Sequence, residues 1–313
     1  MKVIVTGGEG FIGSRLVDRF LAEDHQVLII DDYSTHARPN QSSNAARILQ
    51  GRVQDAILPK DFREPHVIFH LAGKLGPVGV LKFKGEIAKD TIDAAYTVGA
   101  WAKDACCPLI DVSTSEVYGS PDEANSEDTY KVFRGFTARS EYAISKLAAE
   151  NMLVNTDELD VTVVRPFNVT GPGQRAEGGF VIPRFVQQAL SGKQMTIYEP
   201  GTQRRSFTHV DDILDGIMLA WQAGKPKEVY NLGNPDNTRT MIQIADLVAK
   251  GVGSTRLYPS IIVDPTTLHG PDFKEAPEKI PNVDKAIREL GFNPSRPIEQ
   301  IVSEAIEWEK ARG

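Results

Sequence analysis

The 313-residue chain is long enough for one large domain or two modest ones, and its 41% hydrophobic, 25% charged and 8% aromatic composition is that of an ordinary globular protein. Forty-two acids against thirty-five bases leave a net charge of −7, which argues against a general nucleic-acid or anionic-membrane surface, so an anionic ligand needs a local pocket of donors. The adjacent pair Cys106 and Cys107 excludes a disulfide framework and predicts a reducing, cytoplasmic setting, the six histidines lack metal-ligand spacing, and no apolar run approaches the ~20 residues of a membrane span.

Short β-branched runs alternate with helical patterns over the first 70 residues, the signature of a parallel sheet with crossover helices. Val3-Ile4-Val5, directly after Met1-Lys2 and too short for a signal-peptide core, is the first strand. Phe11 to Leu21 follows with helical spacing, and Gln26 to Ile30 is a second strand that runs into Asp31 and Asp32. His66 to His70, Pro108 to Val112 and Asp160 to Val164 are apolar runs fit for burial on both faces, with a helix over Tyr142 to Leu153. The fold class is α/β, a Rossmann-type doubly wound parallel sheet over residues 1–170 with some later segments returning to it. A smaller α/β lobe fills most of 171–313. In that lobe Ile182 to Leu190 reads as a helix, Met195 to Tyr198 and Val229 to Leu232 as strands, Ile242 to Lys250 as a helix and Ile298 to Lys310 as an amphipathic helix. Gly, Pro and Asp thicken between Ile261 and Pro281, which reads as an irregular loop.

Thr6-Gly7-Gly8-Glu9-Gly10-Phe11-Ile12-Gly13 stands between the first strand and the first helix. Glycines at 7, 10 and 13 serve a tight turn, close approach to a pyrophosphate, and close packing of helix on strand, with the phosphates on the helix N-terminus. About twenty residues on, Asp31 closes the second strand, where a carboxylate accepts from both ribose hydroxyls and repels a 2′-phosphate. That combination predicts a dinucleotide, NAD rather than NADP. Asp32 beside it reads equally as a solvated turn residue.

Tyr142-Ala143-Ile144-Ser145-Lys146 puts a phenol and an ammonium four residues apart on one helix face. A nearby cation stabilises a phenolate, which lets Tyr142 take a proton from a sugar hydroxyl. Ser113-Thr114 closes another apolar strand. Together with His70-Leu71-Ala72, Ser115-Glu116-Val117-Tyr118-Gly119, Arg165-Pro166-Phe167-Asn168, Gly171-Pro172 and Gln203-Arg204-Arg205-Ser206-Phe207, these pieces resemble, over nearly the whole length, the extended short-chain dehydrogenases/reductases. The resemblance is to their NAD-dependent nucleotide-sugar epimerases, dehydratases and decarboxylases.

The resemblance implies a shared first step: Tyr142 removes the sugar 4-hydroxyl proton while the C4 hydride passes to NAD, Thr114 bonds the same oxygen, and Lys146 holds the ribose and lowers the tyrosine pKa. It places Gly7, Gly10, Phe11, Ile12, Gly13, Asp31, Asp32, Val53, Leu71, Ala72 and Lys146 around the cofactor. Lys74, Thr114, Asn168, Arg205 and Lys279 fall on the nucleotide diphosphate sugar, and the assembly implied is a homodimer. A non-catalytic, NAD-binding role is the competing class; such proteins typically lose the Tyr-Lys pair, which is intact here.

Three fates of the 4-keto sugar remain open. Glu116, a potential base at C5, leans away from simple epimerisation toward decarboxylases and 4,6-dehydratases. Ser115 in place of the Asp of dehydratases removes the acid for a leaving hydroxyl, and Lys279 in place of the decarboxylases' Arg offers a point charge rather than a fork. The stretch from Glu127 to Tyr142 resembles epimerases, which rank first, with decarboxylase and dehydratase after. Arg52 stands where relatives keep an adenine-side Asp, and Thr91 where an Asn is usual. Lys74 reads evenly as a carboxylate partner or a solvated cation, Cys106 and Cys107 as packing residues before a strand, and His209 as structural.

Overall fold

β-Branched and aliphatic runs with no polar face to give to water are stable only in the middle of a covered sheet. In the computed structural model, which describes all residues except 35–44, 75, 120–124, 130, 132, 134–136, 254–259, 270–275 and 313, they form one. The elements of the first half are β1 (Lys2–Thr6), α1 (Gly13–Ala22), β2 (Gln26–Asp31), β3 (Arg47–Gln50), β4 (Val67–His70), α2 (Gly76–Lys82), α3 (Ile87–Asp104), β5 (Leu109–Val112), α4 (Ala138–Val154) and β6 (Val161–Pro166). Then come β7 (Val169–Thr170), α5 (Val181–Leu190), β8 (Thr196–Tyr198), β9 (Arg204–Ser206), β10 (Thr208–His209), α6 (Val210–Ala223) and β11 (Val229–Leu232). The last are β12 (Thr238–Thr240), α7 (Met241–Gly251), β13 (Ile261–Val263), α8 (Thr266–His269), β14 (Glu278–Lys279), α9 (Asp284–Leu290) and α10 (Ile298–Lys310).

Seven strands in the order β11-β6-β5-β4-β1-β2-β3 make one sheet, parallel at every pairing. Alternation of side chains gives it two cores. Val3, Val5, Phe69 and Ile110 pack with α1, α6 and α9 on one face, and Ile4, Ile68, Leu109 and Val163 pack with α3 and α4 on the other. A third core joins α5, α7 and α10 through Phe185, Ile244 and Ile301, beneath the short strand β8. No helix among the described residues is long and apolar enough to cross a membrane, and no group of His, Cys, Asp or Glu among them is placed to hold a metal.

Two sequence expectations change here. The stretch 261–281 read as an irregular loop carries β13, which pairs with β8, the short helix α8, and β14, which pairs with β9; residues 270–275 lie outside the described residues. Strands of two or three residues that pair with remote partners carry no sequence period, so composition alone hid them. Of the adjacent cysteines, Cys107 packs into the core, but Cys106 is exposed at a left-handed turn with φ 50°.

Candidate active site

The nucleotide end is built from backbone. Gly7 has φ 70°, and a Cβ there would stand 2.7 Å from Ala72 N; a Cβ on Gly13 would stand 2.1 Å from Gly7 O. The strand end, the loop Leu71–Ala72 and the start of α1 thus touch at a spacing only glycine permits. No side chain caps α1, whose N-cap is Ile12, and its first turn holds no acid. A helix N-terminus left uncapped by the protein suits an anion such as a diphosphate. At the end of β2, Asp31 is oriented by two backbone donors, Glu9 N to Oδ2 at 2.9 Å and Tyr33 N to Oδ1 at 2.8 Å. Asp32 instead takes up Ser34 N at 2.9 Å, a local turn contact. Val53 is buried in a short helical turn, Phe11 is half-buried in the turn before α1, and Leu71 and Ala72 are half-buried just after β4. These residues fit a dinucleotide, with Asp31 set against a 2′-phosphate.

The C-terminal ends of β5 and β6 face α4, and the reactive groups stand there. Thr114 opens a short helical turn, its Oγ1 accepting from Glu116 N at 3.2 Å, and its hydroxyl lies near enough to the Tyr142 hydroxyl to favour the phenolate. α4 begins with a reciprocal capping box between Thr137 and Ser140, which fixes the helix one turn before Tyr142. Lys146, one turn after it and 4% exposed, donates from Nζ to Val112 O at 3.1 Å. Burial pushes the Tyr142 phenol above its ordinary range; the Thr114 hydroxyl pulls it part of the way back, and Glu116 and Asp111 push it further up. Thr114, Tyr142 and Lys146 are therefore brought together as the sequence predicts, yet the protein alone keeps the phenol protonated rather than activated.

Glu116 lies beside this group, its side chain about 26% exposed, between two cations. Arg139 donates from Nε to Oε2 at 2.7 Å and from Nη2 to Oε1 at 3.1 Å, a two-pronged grip. Lys279 Nζ stands 2.5 Å from Oε1, an ion contact rather than an aligned hydrogen bond. Burial would raise the Glu116 carboxyl, but Arg139 and Lys279 outweigh it and hold the group far below the usual carboxylate range. Burial pushes Lys279 the other way, down to about 8, with Arg139 and Arg205 adding to the push and Glu116 opposing it. Arg139 was not among the residues the sequence nominated. Its signal was its place one helical turn before Tyr142, on the same face of α4.

Other nominated residues sit less openly. Lys74 is ion-paired with Asp90 of α3 at 2.7 Å and lies over the Phe83 ring, so it is neither solvated nor turned toward a free carboxylate. Arg52 grips the same Asp90. Asn168 donates to Ser206 O at 3.0 Å, and Arg205 donates to Ala276 O and Arg204 O, both at 2.8 Å. His209 caps α6 through Asp211 N and meets Glu304 at 2.9 Å, a structural role. Much of the segment before Tyr142 lies outside the described residues.

Beneath the site runs a buried network the sequence did not announce. Arg165 of β6 donates to both oxygens of Glu150 on α4, the shortest contact being 2.5 Å, and to Tyr118 Oη at 2.9 Å; Tyr118 in turn donates to Asn231 Oδ1 at 2.7 Å. Ser113 also bonds Glu150.

Comparison with known proteins agrees with this geometry. Residues 3–233 match the NAD dependent epimerase/dehydratase family. The chain is 30% identical to UDP-N-acetyl-alpha-D-glucosaminuronate decarboxylase of Bacillus cytotoxicus over 98% of its own length and 97% of the relative's. It is 28% identical to UDP-glucuronic acid decarboxylase 1 of Xenopus tropicalis, covering 98% of this chain and 72% of that one. Among solved structures, UDP-glucuronic acid 4-epimerase of Bacillus cereus, bound to UDP-glucuronic acid and NAD, superposes with a TM-score of 0.86 at 24% identity over 100% of both chains. dTDP-glucose 4,6-dehydratase of Bacillus anthracis, bound to NAD, gives 0.83 at 26% identity over 99% of this chain and 97% of that one. With the glycine turn, Asp31 and the Thr114, Tyr142 and Lys146 group in place, the chain belongs to the NAD dependent epimerase/dehydratase family, enzymes of the extended short-chain dehydrogenase/reductase type that use NAD.

Proposed function

We propose that the chain is a nucleotide-sugar 4-epimerase working through a transient 4-keto sugar. Tyr142 accepts the proton of the sugar 4-hydroxyl and later returns it, Thr114 holds the same oxygen, and Lys146 keeps the phenol and the cofactor ribose in register. NAD, when bound, supplies the hydride acceptor at C4 and gives the hydride back. Phe11, Ile12 and Val53 border the nucleotide in this reading, and Asn168, Arg205 and Lys279 border the diphosphate and sugar. Exposed Ile92, Tyr96 and Ile144 on the adjoining helices α3 and α4 support the homodimer that the family resemblance implies.

The observation that carries the reading is the condition of Glu116. A base at C5 must hold a proton near neutral pH, and a carboxylate kept ionised by Arg139 and Lys279 holds one poorly. Position 115 is a buried serine, so elimination also lacks an acid for its leaving hydroxyl. Return of the hydride to the opposite face needs neither group. Decarboxylation is the second reading, favoured by two cations that converge on one carboxylate and by the uronate decarboxylases among the relatives. It needs no base, because a 4-keto uronate is a β-keto acid. Incubation with UDP-glucose, UDP-glucuronate, UDP-N-acetylglucosamine and GDP-mannose, with products read by mass spectrometry, separates them. An isomer of unchanged mass is expected; loss of carbon dioxide or of water replaces the proposal by the decarboxylase or dehydratase reading.

A further inference from the structure

On the strand that leads into Thr114 lies a second carboxylate in the opposite condition from Glu116. Asp111 of β5 is 1% exposed, and neither of its oxygens has a hydrogen-bond partner. An unpartnered acid in the middle of a buried parallel strand lowers stability, so its presence calls for a compensating role.

Its surroundings define that role. Asp111 is in register with His70 of β4 and Val163 of β6. His70 is bonded through Nδ1 to Thr6 Oγ1 at 2.7 Å, and burial, with help from the Lys146 charge, pushes its ring down to about 3, so the imidazole is neutral. α3 turns Thr91, Ala94, Ala95 and Val98 to the interior and brings no ionisable group. From α4 come Tyr142, Lys146 and Glu150, and Glu150 is already matched by Arg165 of β6. Lys146, docked on the carbonyl of Val112 next along the strand, makes no direct contact with Asp111, but among these groups it is the cation whose charge acts on that carboxyl.

We propose that Asp111 is a positioning residue for the reactive pair: its buried carboxylate is the counter-charge that keeps Lys146 docked as an ammonium at the end of β5, one turn from Tyr142. The inference rests on the reading of Tyr142 as the base. Burial pushes the Asp111 carboxyl up to about 6, Lys146 pulling it back and Glu150 pushing it further up, and the Asp111 charge in turn raises the Tyr142 phenol. Because the folded value lies above the ordinary 3.8, stability from this group is fully present below that value and is lost as pH rises through about 6.

Three measurements test this on the full chain. With carboxyl carbons of aspartate labelled, one resonance of the wild-type protein titrates near pH 6; titration of every aspartate below about pH 5 overturns the proposal even if no variant folds. D111N melts with wild type near pH 4 and about 5 °C above it near pH 7.5, and equal melting at both values overturns it. In kcat/KM against pH, the limb assigned to Tyr142 moves about one unit higher in D111N, because Lys146, released from its counter-charge, no longer stabilises the phenolate. A limb that stays unmoved, or that falls as the bare loss of the Asp111 charge would make it, shows that Asp111 does not position Lys146 and overturns the inference. Retained turnover in Y142F would instead remove the base reading while leaving the labelling and melting results intact, so the two failures are distinguishable.

Discussion

The two ends of α4 hold Glu–Arg pairs of opposite character. At the downstream end Glu150, 3% exposed, meets Arg165, 5% exposed, in a contact sealed by Ser113 and Tyr118. At the upstream end Arg139 and Glu116, 33% and 26% exposed, meet at the mouth of the site with Lys279 as a third partner. Tyr142 and Lys146 stand between them. The sealed pair has every partner it needs inside the protein and fastens the helix to the sheet. The open pair sets two cations on one partly exposed carboxylate beside Tyr142, where a ligand can reach it.

The sharpest break with this contrast is made between the two ends. Tyr142→Phe should lower turnover about 10²–10⁴-fold while NAD remains bound, measured by steady-state rates and cofactor fluorescence. At the sealed end, Arg165→Met strands a buried carboxylate and should reduce stability by about 3–5 kcal/mol, read from urea unfolding. A loss confined to activity, with stability intact, would abolish the distinction between strut and site. At the open end, Lys279→Met should raise KM about 10–100-fold, the equivalent of ~1.5–3 kcal/mol for a lost charge-assisted contact, with little change in the unfolding midpoint. The same contact carries a pH signature. Lys279 has a folded value of about 8, below its ordinary 10.5, so affinity should weaken as pH climbs past 8, while stability gains from this group over the interval up to 10.5. The smallest effect belongs to Arg204→Ala, which removes an exposed pair with Glu278 at 3.1 Å and should change stability by about 0.2–1 kcal/mol and turnover hardly at all.

What the sequence disclosed follows the same line. The glycine turn and Asp31 span 25 contiguous residues and act through backbone geometry, so spacing alone located them. Tyr142 and Lys146 share a helix face, which periodicity also reveals. The Glu116 cluster draws on residues 116, 139 and 279, and no local pattern states which cations will reach one carboxylate. Lys74 shows the converse: its loop was located, but Asp90 sixteen residues later had already claimed its charge. Asp111 sat in plain view within an apolar run and passed for strand, since a buried acid looks no different in sequence from a tolerated one.

The position of β11 bears on how the molecule reaches its form. β6 is buried along all six residues, and one of its edges is covered only when Val229–Leu232 arrives, more than sixty residues downstream. A nascent or truncated chain that stops near residue 170 therefore displays a long, apolar, unpaired strand, the template on which copies of a protein add to one another. Closing such a distant parallel pair is slow in comparison with forming the local strand and helix units before it. Completion of the sheet, more than its initiation, is the step that carries the newly made protein out of danger of aggregation.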